Sequence, residues 1–233
     1  MIKMTREIKI PTPEYLRKTV EEMIEKYGIS DCIYESCIRE FSRLKLRELK
    51  EIHSVRIIRP FLLTWGQMGR WLGDVGVERV FQKLMEGAFV VRIEPLRRSS
   101  LRSPKLESLK ELVVEMFNEL MQTKFKSKSK KRQPLKNVNS TTTSKVLHLC
   151  CPDLFIMWDT NIRIGYCKKN GDGKDYFQFL MEMRGFWDKL SDTIKELHEK
   201  YRIRPTRIID IYNWAEGRKQ EERKQKRKLN KKR

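Results

Sequence analysis

The segment TTTSKVLHLCCPDLFIMWDTNIR (141–163) holds one lysine, one histidine, two adjacent cysteines and, fourteen residues after the lysine, an aspartate behind a tryptophan. A lysine amine becomes a nucleophile once it loses its proton, and partial desolvation favours that loss. The apolar pattern puts Lys145 at the start of a helix over 144–151, stopped by Pro152, with Val146, Leu147, Leu149 and Cys150 turned inward. In a first turn the positive helix end would disfavour its charged form. His148, three residues on, shares its side. Asp159 opens the run DTNI, which reads as a helix N-cap. A capping carboxylate stays ionised and fixed, and can stabilise a developing positive charge. Two plainer readings stay open: a solvated or phosphate-touching Lys145, and an Asp159 that only caps.

A second feature is TWGQMGRWLG (64–73). Gly66, Gly69 and Gly73 leave a strip where another backbone can come close, ringed by Trp65, Met68, Trp71 and Leu72. The functional reading has Trp65 or Trp71 stacking on an extruded base and Arg70 holding a phosphate; Trp158, beside Asp159, is a third stacking candidate. The competing reading is tight helix packing around buried aromatics.

The formal charge of +20 on 233 residues narrows the partner. The stretch KFKSKSKKRQPLK (124–136) carries seven positive charges and no acid, and residues 216–233 hold ten basic residues against three acidic. Such clusters suit a polyanion, because each phosphate contact releases a condensed counterion. Lys128, Lys130, Lys131 and Arg132 are the expected contacts, and duplex DNA the expected partner; a solvated loop and a disordered tail are the alternative. No run of 18 apolar residues occurs and the first residues lack the apolar core of an export signal. A cytoplasmic, nucleoid-associated monomer without a membrane partner is therefore expected. The five cysteines form no CxxC pair and the three histidines are scattered, so reduced thiols, no metal and no cofactor are expected. No P-loop, GxSxG or HExxH motif is present.

The elements that must position these residues read as helices. Thr12 caps one that begins at Pro13 and ends before Gly28, and Ser30 caps the next. The apolar run 54–73 is central, with Pro60 kinking it or marking its start. A short helix covers 77–87; AFVVRIEP (88–95) has strand character but no partner; Ser103 and Pro104 open a helix to about Thr123. Beyond the basic linker at about 124–139, helices are expected at 175–184, 187–201 and 207–215. The fold class is all-α: one multi-helix domain over 1–215 whose halves share a core across the linker, followed by a basic tail at 216–233, helical or disordered.

STTTSKVLHLCCPDLFIMWDTNIR resembles the catalytic segment of the helix-hairpin-helix DNA glycosylases, in particular the 8-oxoguanine DNA glycosylase-like branch. There a hairpin delivers a lysine at the head of a helix, and the chain returns with an aspartate, a small polar residue and an arginine; Lys145, Asp159, Thr160 and Arg163 match. Where the family hairpin reads Leu-Pro-Gly-Val-Gly, this chain has NSTTTS without a glycine, so the resemblance passes phosphate contact to the hydroxyls of Thr142, Thr143 and Ser144, with His148 and Arg163 nearby. It implies a glycosylase-like fold and a base-excision glycosylase/lyase reaction: Lys145 attacks the sugar C1′ of a flipped nucleotide and Asp159 stabilises the cationic transition state. The alternative is a non-enzymatic DNA- or RNA-binding module of the same fold.

Overall fold

The computed structural model describes residues 10–69, 71–126, 135–168 and 170–230. The chain is mostly α-helical. Its first helix, α1 (Pro13–Arg43), starts where the sequence indicates: the Thr12 hydroxyl accepts from the Tyr15 N–H and Pro13 takes the first position. It does not stop at Gly28. A glycine inside a helix costs about 1 kcal/mol. Burial outweighs that cost, because Leu16 and Val20 before the glycine and Tyr34, Ile38 and Phe41 after it are all at 0% exposure. The expected pair of helices is therefore one rod of 31 residues.

A short turn, α2 (Glu51–His53), leads into two successive π-helical segments, Ser54–Ile58 and Pro60–Trp65. Pro60 stands at the first position of the second, where it needs no N–H donor. Then come α3 (Gly73–Met85) and α4 (Gly87–Ile93). The second of these settles 88–95, whose strand character had no partner, as helix up to Ile93. A strand would put residues 89, 91 and 93 on one face. Phe89 and Ile93 are buried while Val91 is 73% exposed, which is helical spacing. Ser103 and Pro104 lie in turns, and α5 (Lys110–Met121) begins later than the sequence suggests.

Only the two ends of the basic stretch belong to the described residues. Its ends close on each other as a two-stranded antiparallel ladder, β1 (Lys124–Phe125) with β2 (Lys136–Asn137), in the register Lys124 to Asn137 and Phe125 to Lys136. Phe125 and Val138 anchor the ladder in the core, and the Val138 N–H reaches the Thr123 carbonyl at 3.0 Å. The chain then forms α6 (Ser140–Cys150), α7 (Thr160–Gly165), α8 (Gly173–Lys189), α9 (Ser191–Tyr201) and α10 (Pro205–Asn230). The last is one continuous helix that extends well into the basic tail. Helix α5 packs on α6 and α8, so elements on the two sides of the basic stretch share one core. The contact with α8 is close enough to require Gly173, where a Cβ would stand 2.4 Å from the Val114 carbonyl oxygen. Helix α10 packs along α7, α1 and α9, and one cluster of buried side chains runs from Leu16 to Tyr212.

Candidate active site

Helix α6 is longer than its apolar pattern implies. Asn139 is the N-cap, its side chain accepting from the Thr142 N–H at 2.8 Å, so Lys145 is the sixth helical residue and not part of the first turn. The helix terminus therefore has little hold on its charge, since that effect fades within one turn. Burial acts instead. Desolvation pushes the Lys145 ammonium down to about 8, against the opposing pull of Asp159; the Arg207 charge lowers it further and Asp210 opposes. Its Nζ donates to the Gly66 carbonyl at 2.6 Å, lies 3.9 Å from the Met68 sulfur and sits 5.8 Å from the centroid of the Trp65 ring.

The segments that carry Lys145 and Asp159 are clamped together at the preceding residues. The Trp158 N–H donates to the Ser144 hydroxyl at 3.1 Å, and that hydroxyl lies 3.0 Å from the Thr141 carbonyl and 3.1 Å from the Trp158 carbonyl, either of which accepts its proton. Asp159 caps α7 as the sequence indicates, its Oδ1 accepting from the Ile162 N–H at 2.8 Å. One carboxylate oxygen is thus fixed by the backbone while the carboxylate charge acts on the Lys145 amine.

A layer that the sequence did not announce lies behind this pair. The largely buried Arg207 donates from Nη2 to Asp31 at 2.6 Å, with its guanidinium carbon 5.0 Å from the ring centroids of both Tyr34 and Trp65. Trp65 therefore carries two cations, Arg207 and Lys145. It also stacks on Phe61 at 5.0 Å and donates from its indole nitrogen to Asp31 at 3.4 Å. Asp210 is buried, one oxygen accepting from the Met157 N–H at 2.8 Å and the other having no hydrogen-bond donor among the described residues. Burial pushes its carboxyl well above the usual range. The unpartnered oxygen stands 4.0 Å from His148 Nδ1.

Several expected nucleic-acid contacts are corrected by this geometry. Thr142, Thr143, Ser144 and His148 are at 0% exposure and face the interior, so none meets a phosphate in this conformation. They are inward because α6 is wrapped on most sides by α1, α5 and the segment Pro60–Trp65. His148 sits between the Tyr34 hydroxyl, 2.7 Å from Nε2, and the Phe155 carbonyl, 2.6 Å from Nδ1. The carbonyl can only accept, which places the proton on Nδ1 and leaves Nε2 to accept from Tyr34. Desolvation holds this imidazole neutral, pushed down to about 3. Trp158 is a core residue at 1% exposure, its indole donating to the Ser140 carbonyl at 3.2 Å and packed edge-on to Phe117, which excludes it as a stacking platform. Arg163 is engaged within the protein, donating to the Lys168 carbonyl at 2.8 Å. Trp71 does face outward, 41% exposed with the Lys136 ammonium 5.1 Å above its ring. Arg70, Lys128, Lys130, Lys131 and Arg132 lie outside the described residues.

A cleft of about 400 Å³ between the segment Ser54–Ile58 and α3 is lined by Arg59, Asp74, Glu78 and Arg79, among others, and by none of the candidates above. Among the described residues, no group of three or more His, Cys, Asp or Glu side chains could hold a metal, and no helix is long and apolar enough to cross a membrane. No family model, curated protein or solved structure matches the chain.

Sequence reasoning missed Asp31, Tyr34, Arg207 and Asp210. A signal existed. In TRIIDIY the residues Ile208, Ile209, Ile211 and Tyr212 are buried around nearly the whole circumference of α10, which forces a charge at 207 or 210 inward. Arg207 and Asp210, three apart, share a face, as do Asp31 and Tyr34 on α1.

Proposed function

We propose that this protein is a DNA-acting base-excision enzyme of glycosylase/lyase type, with the fold of the helix-hairpin-helix glycosylases and Lys145 as its nucleophile. The observation that carries the reading is a desolvated lysine amine, pushed down to about 8, that feels the charge of Asp159 across the Ser144–Trp158 clamp. An amine of that basicity is free of its proton in a useful fraction of molecules near neutral pH. Its lone pair attacks the sugar C1′ of a flipped nucleotide and forms the N–C1′ bond. The bond from C1′ to the base breaks, and the base departs with the bonding pair and takes up a proton. Loss of a proton from the attached nitrogen and opening of the C1′–O4′ bond, with a proton delivered to O4′, leave an imine between lysine and sugar. Asp159 stabilises the positive charge on the sugar and on the imine nitrogen. The positive charges of 124–136 and of 216–233 supply the sequence-independent attraction to duplex DNA, and the exposed Trp71 beside Lys136 offers a stacking surface.

The test is borohydride trapping on a panel of duplexes carrying damaged bases and abasic sites. Hydride reduces the imine to a stable amine, so a covalent protein–DNA species should form with the wild type and be absent from Lys145→Gln. A trapped species that persists in Lys145→Gln would refute the assignment of the nucleophile. A second reading, a DNA- or RNA-binding module without chemistry, is favoured by the burial of Thr142, Thr143 and Ser144, which removes the expected phosphate-binding hairpin. It predicts salt-sensitive binding with no trapped species on any lesion.

A further inference from the structure

Three neighbours of the Lys145 amine come from one short segment: the Trp65 ring, the Gly66 carbonyl and the Met68 sulfur. That segment is where the π-helical register ends, and its backbone is unusual. Gly66 fits so closely on the preceding turn that a Cβ would stand 2.8 Å from the carbonyl oxygens of both Phe61 and Leu62. The next residue, Gln67, has φ 54°, the left-handed region that glycine enters freely and a side-chain-bearing residue enters at a cost. The Gln67 side chain is exposed, so no burial of its own compensates. The Met68 N–H then returns to the Leu62 carbonyl at 3.0 Å and closes the turn.

We propose that Gly66–Gln67–Met68 is a latch over the nucleophile. In the closed form Gly66 occupies an amine hydrogen with its carbonyl and Met68 covers the nitrogen. Opening the turn releases the left-handed strain at Gln67 and bares Lys145. The latch keeps a low-basicity amine from reacting with adventitious aldehydes and reserves it for a substrate that displaces the turn. This inference rests on Lys145 being the nucleophile of the proposed reaction, but its test does not use that reaction.

Gln67 is a clean handle, because its exposed side chain can be changed without touching the core. Gln67→Gly removes the left-handed cost and should hold the latch shut. Gln67→Val, β-branched and poorly tolerated at positive φ, should favour the open form. The full-length protein and both variants are treated at pH 9 with formaldehyde and cyanoborohydride, and methylation of each lysine is followed by mass spectrometry. Lys18 and Lys195, whose side chains are 75% exposed, report intrinsic reactivity. Lys168, whose side chain is 5% exposed and paired with Glu182, reports general unfolding. Lys145 should react at least tenfold more slowly than Lys18. Relative to wild type it should slow about fivefold in Gln67→Gly and accelerate about fivefold in Gln67→Val, following a left-handed cost of about 1 kcal/mol, while Lys18, Lys168 and Lys195 stay unchanged. Equal Lys145 rates in the three proteins would overturn the latch. So would an acceleration that Lys168 shares, which would assign exposure to general unfolding. Should Gln67→Val fail to fold, the Gln67→Gly arm decides alone. Loss of borohydride trapping with these rates intact would remove the enzymatic reading and leave the latch standing.

Discussion

Replacing Lys145 by methionine removes a buried charge while keeping an unbranched chain of similar length, and its effect on stability should depend on pH in a way no surface lysine would. The Lys145 amine titrates at about 8 in the folded protein and at about 10.4 in an unfolded chain. Between those values the unfolded state binds more protons than the native state, so stability from this group rises with pH. Below pH 8 both states are protonated and the full desolvation cost is present. Above about 10.4 both are neutral and the cost is gone. The difference of between two and three pH units corresponds to about 3 kcal/mol, as an upper figure, because Lys145 keeps some solvent exposure. The assay is urea unfolding of wild type and Lys145→Met at intervals from pH 7 to 10.5. The buried tyrosines and other lysines are common to both proteins and cancel in the difference, provided they do not couple to residue 145. The wild type should gain on the variant by up to about 3 kcal/mol across that window, most steeply near pH 9. A difference that stays flat would mean that Lys145 is solvated like any surface lysine, and would remove the physical basis for the proposed nucleophile.

Asp159→Asn should keep α7 intact, since asparagine caps about as well as aspartate. It should push the Lys145 amine further down, because Asp159 now raises it, and should reduce turnover on the trapped lesion on the order of 10²-fold; near-normal turnover would leave Asp159 a cap only. His148→Gln should protect against acid: the wild-type imidazole titrates at about 3 when folded and about 6.5 when unfolded, so wild type should lose stability relative to the variant as pH falls below about 6.5. Equal acid sensitivity in urea melts would contradict a buried, neutral His148. Truncation after Gln220 should leave the melting temperature nearly unchanged, because Arg218 and Lys219, which dock on Tyr27, Trp214 and Tyr15, are retained. It should weaken DNA binding and flatten its salt dependence; an unchanged log–log slope would take the tail out of the interface. Glutamine at Lys128, Lys130, Lys131 and Arg132 together should flatten the slope by about 0.9 for each phosphate no longer neutralised, read by fluorescence anisotropy over a salt series.

The helical class was legible because periodicity is a local signal. Thr12 and Asp159 as caps, and Val146, Leu147, Leu149 and Cys150 as the inner face of α6, were read correctly from a handful of neighbours each. Boundaries failed where a distant surface outweighed a local preference. Gly28 is a plausible stop until α10, α9 and the π-helical segments are packed along α1, which makes continuing the rod cheaper than breaking it. The same holds for Val91, whose β-branched neighbours suggest a strand until Phe89 and Ile93 are seen buried one helical turn apart. The charge run at 124–136 reads as a linker because its composition is polar, yet its two described ends pair, with Phe125 and Val138 buried in the core.

For the candidate lysine, the sequence named the residue but not the surroundings that set its basicity. Lys145 and Asp159 could be paired from residue type and spacing, but the cause assigned to the lysine's low basicity, a helix terminus, is replaced by burial beneath a segment 77 to 80 positions earlier in the chain. No reading of 141–163 alone could supply Gly66, Met68, Trp65 or Arg207, because each enters through tertiary contact from α10 or from the turn that closes the π-helical run. The buried charges also explain each other. Arg207 is held by Asp31 and two aromatic faces, and its charge depresses the nearby amine. A lysine placed in that interior would be costly in a protein that had no use for it, since an apolar residue of the same shape would pack there without the desolvation cost. An amine whose bonding partners among the described residues are a carbonyl and a thioether is under-solvated, and a desolvated amine is easier to deprotonate, which is what the proposed nucleophile needs.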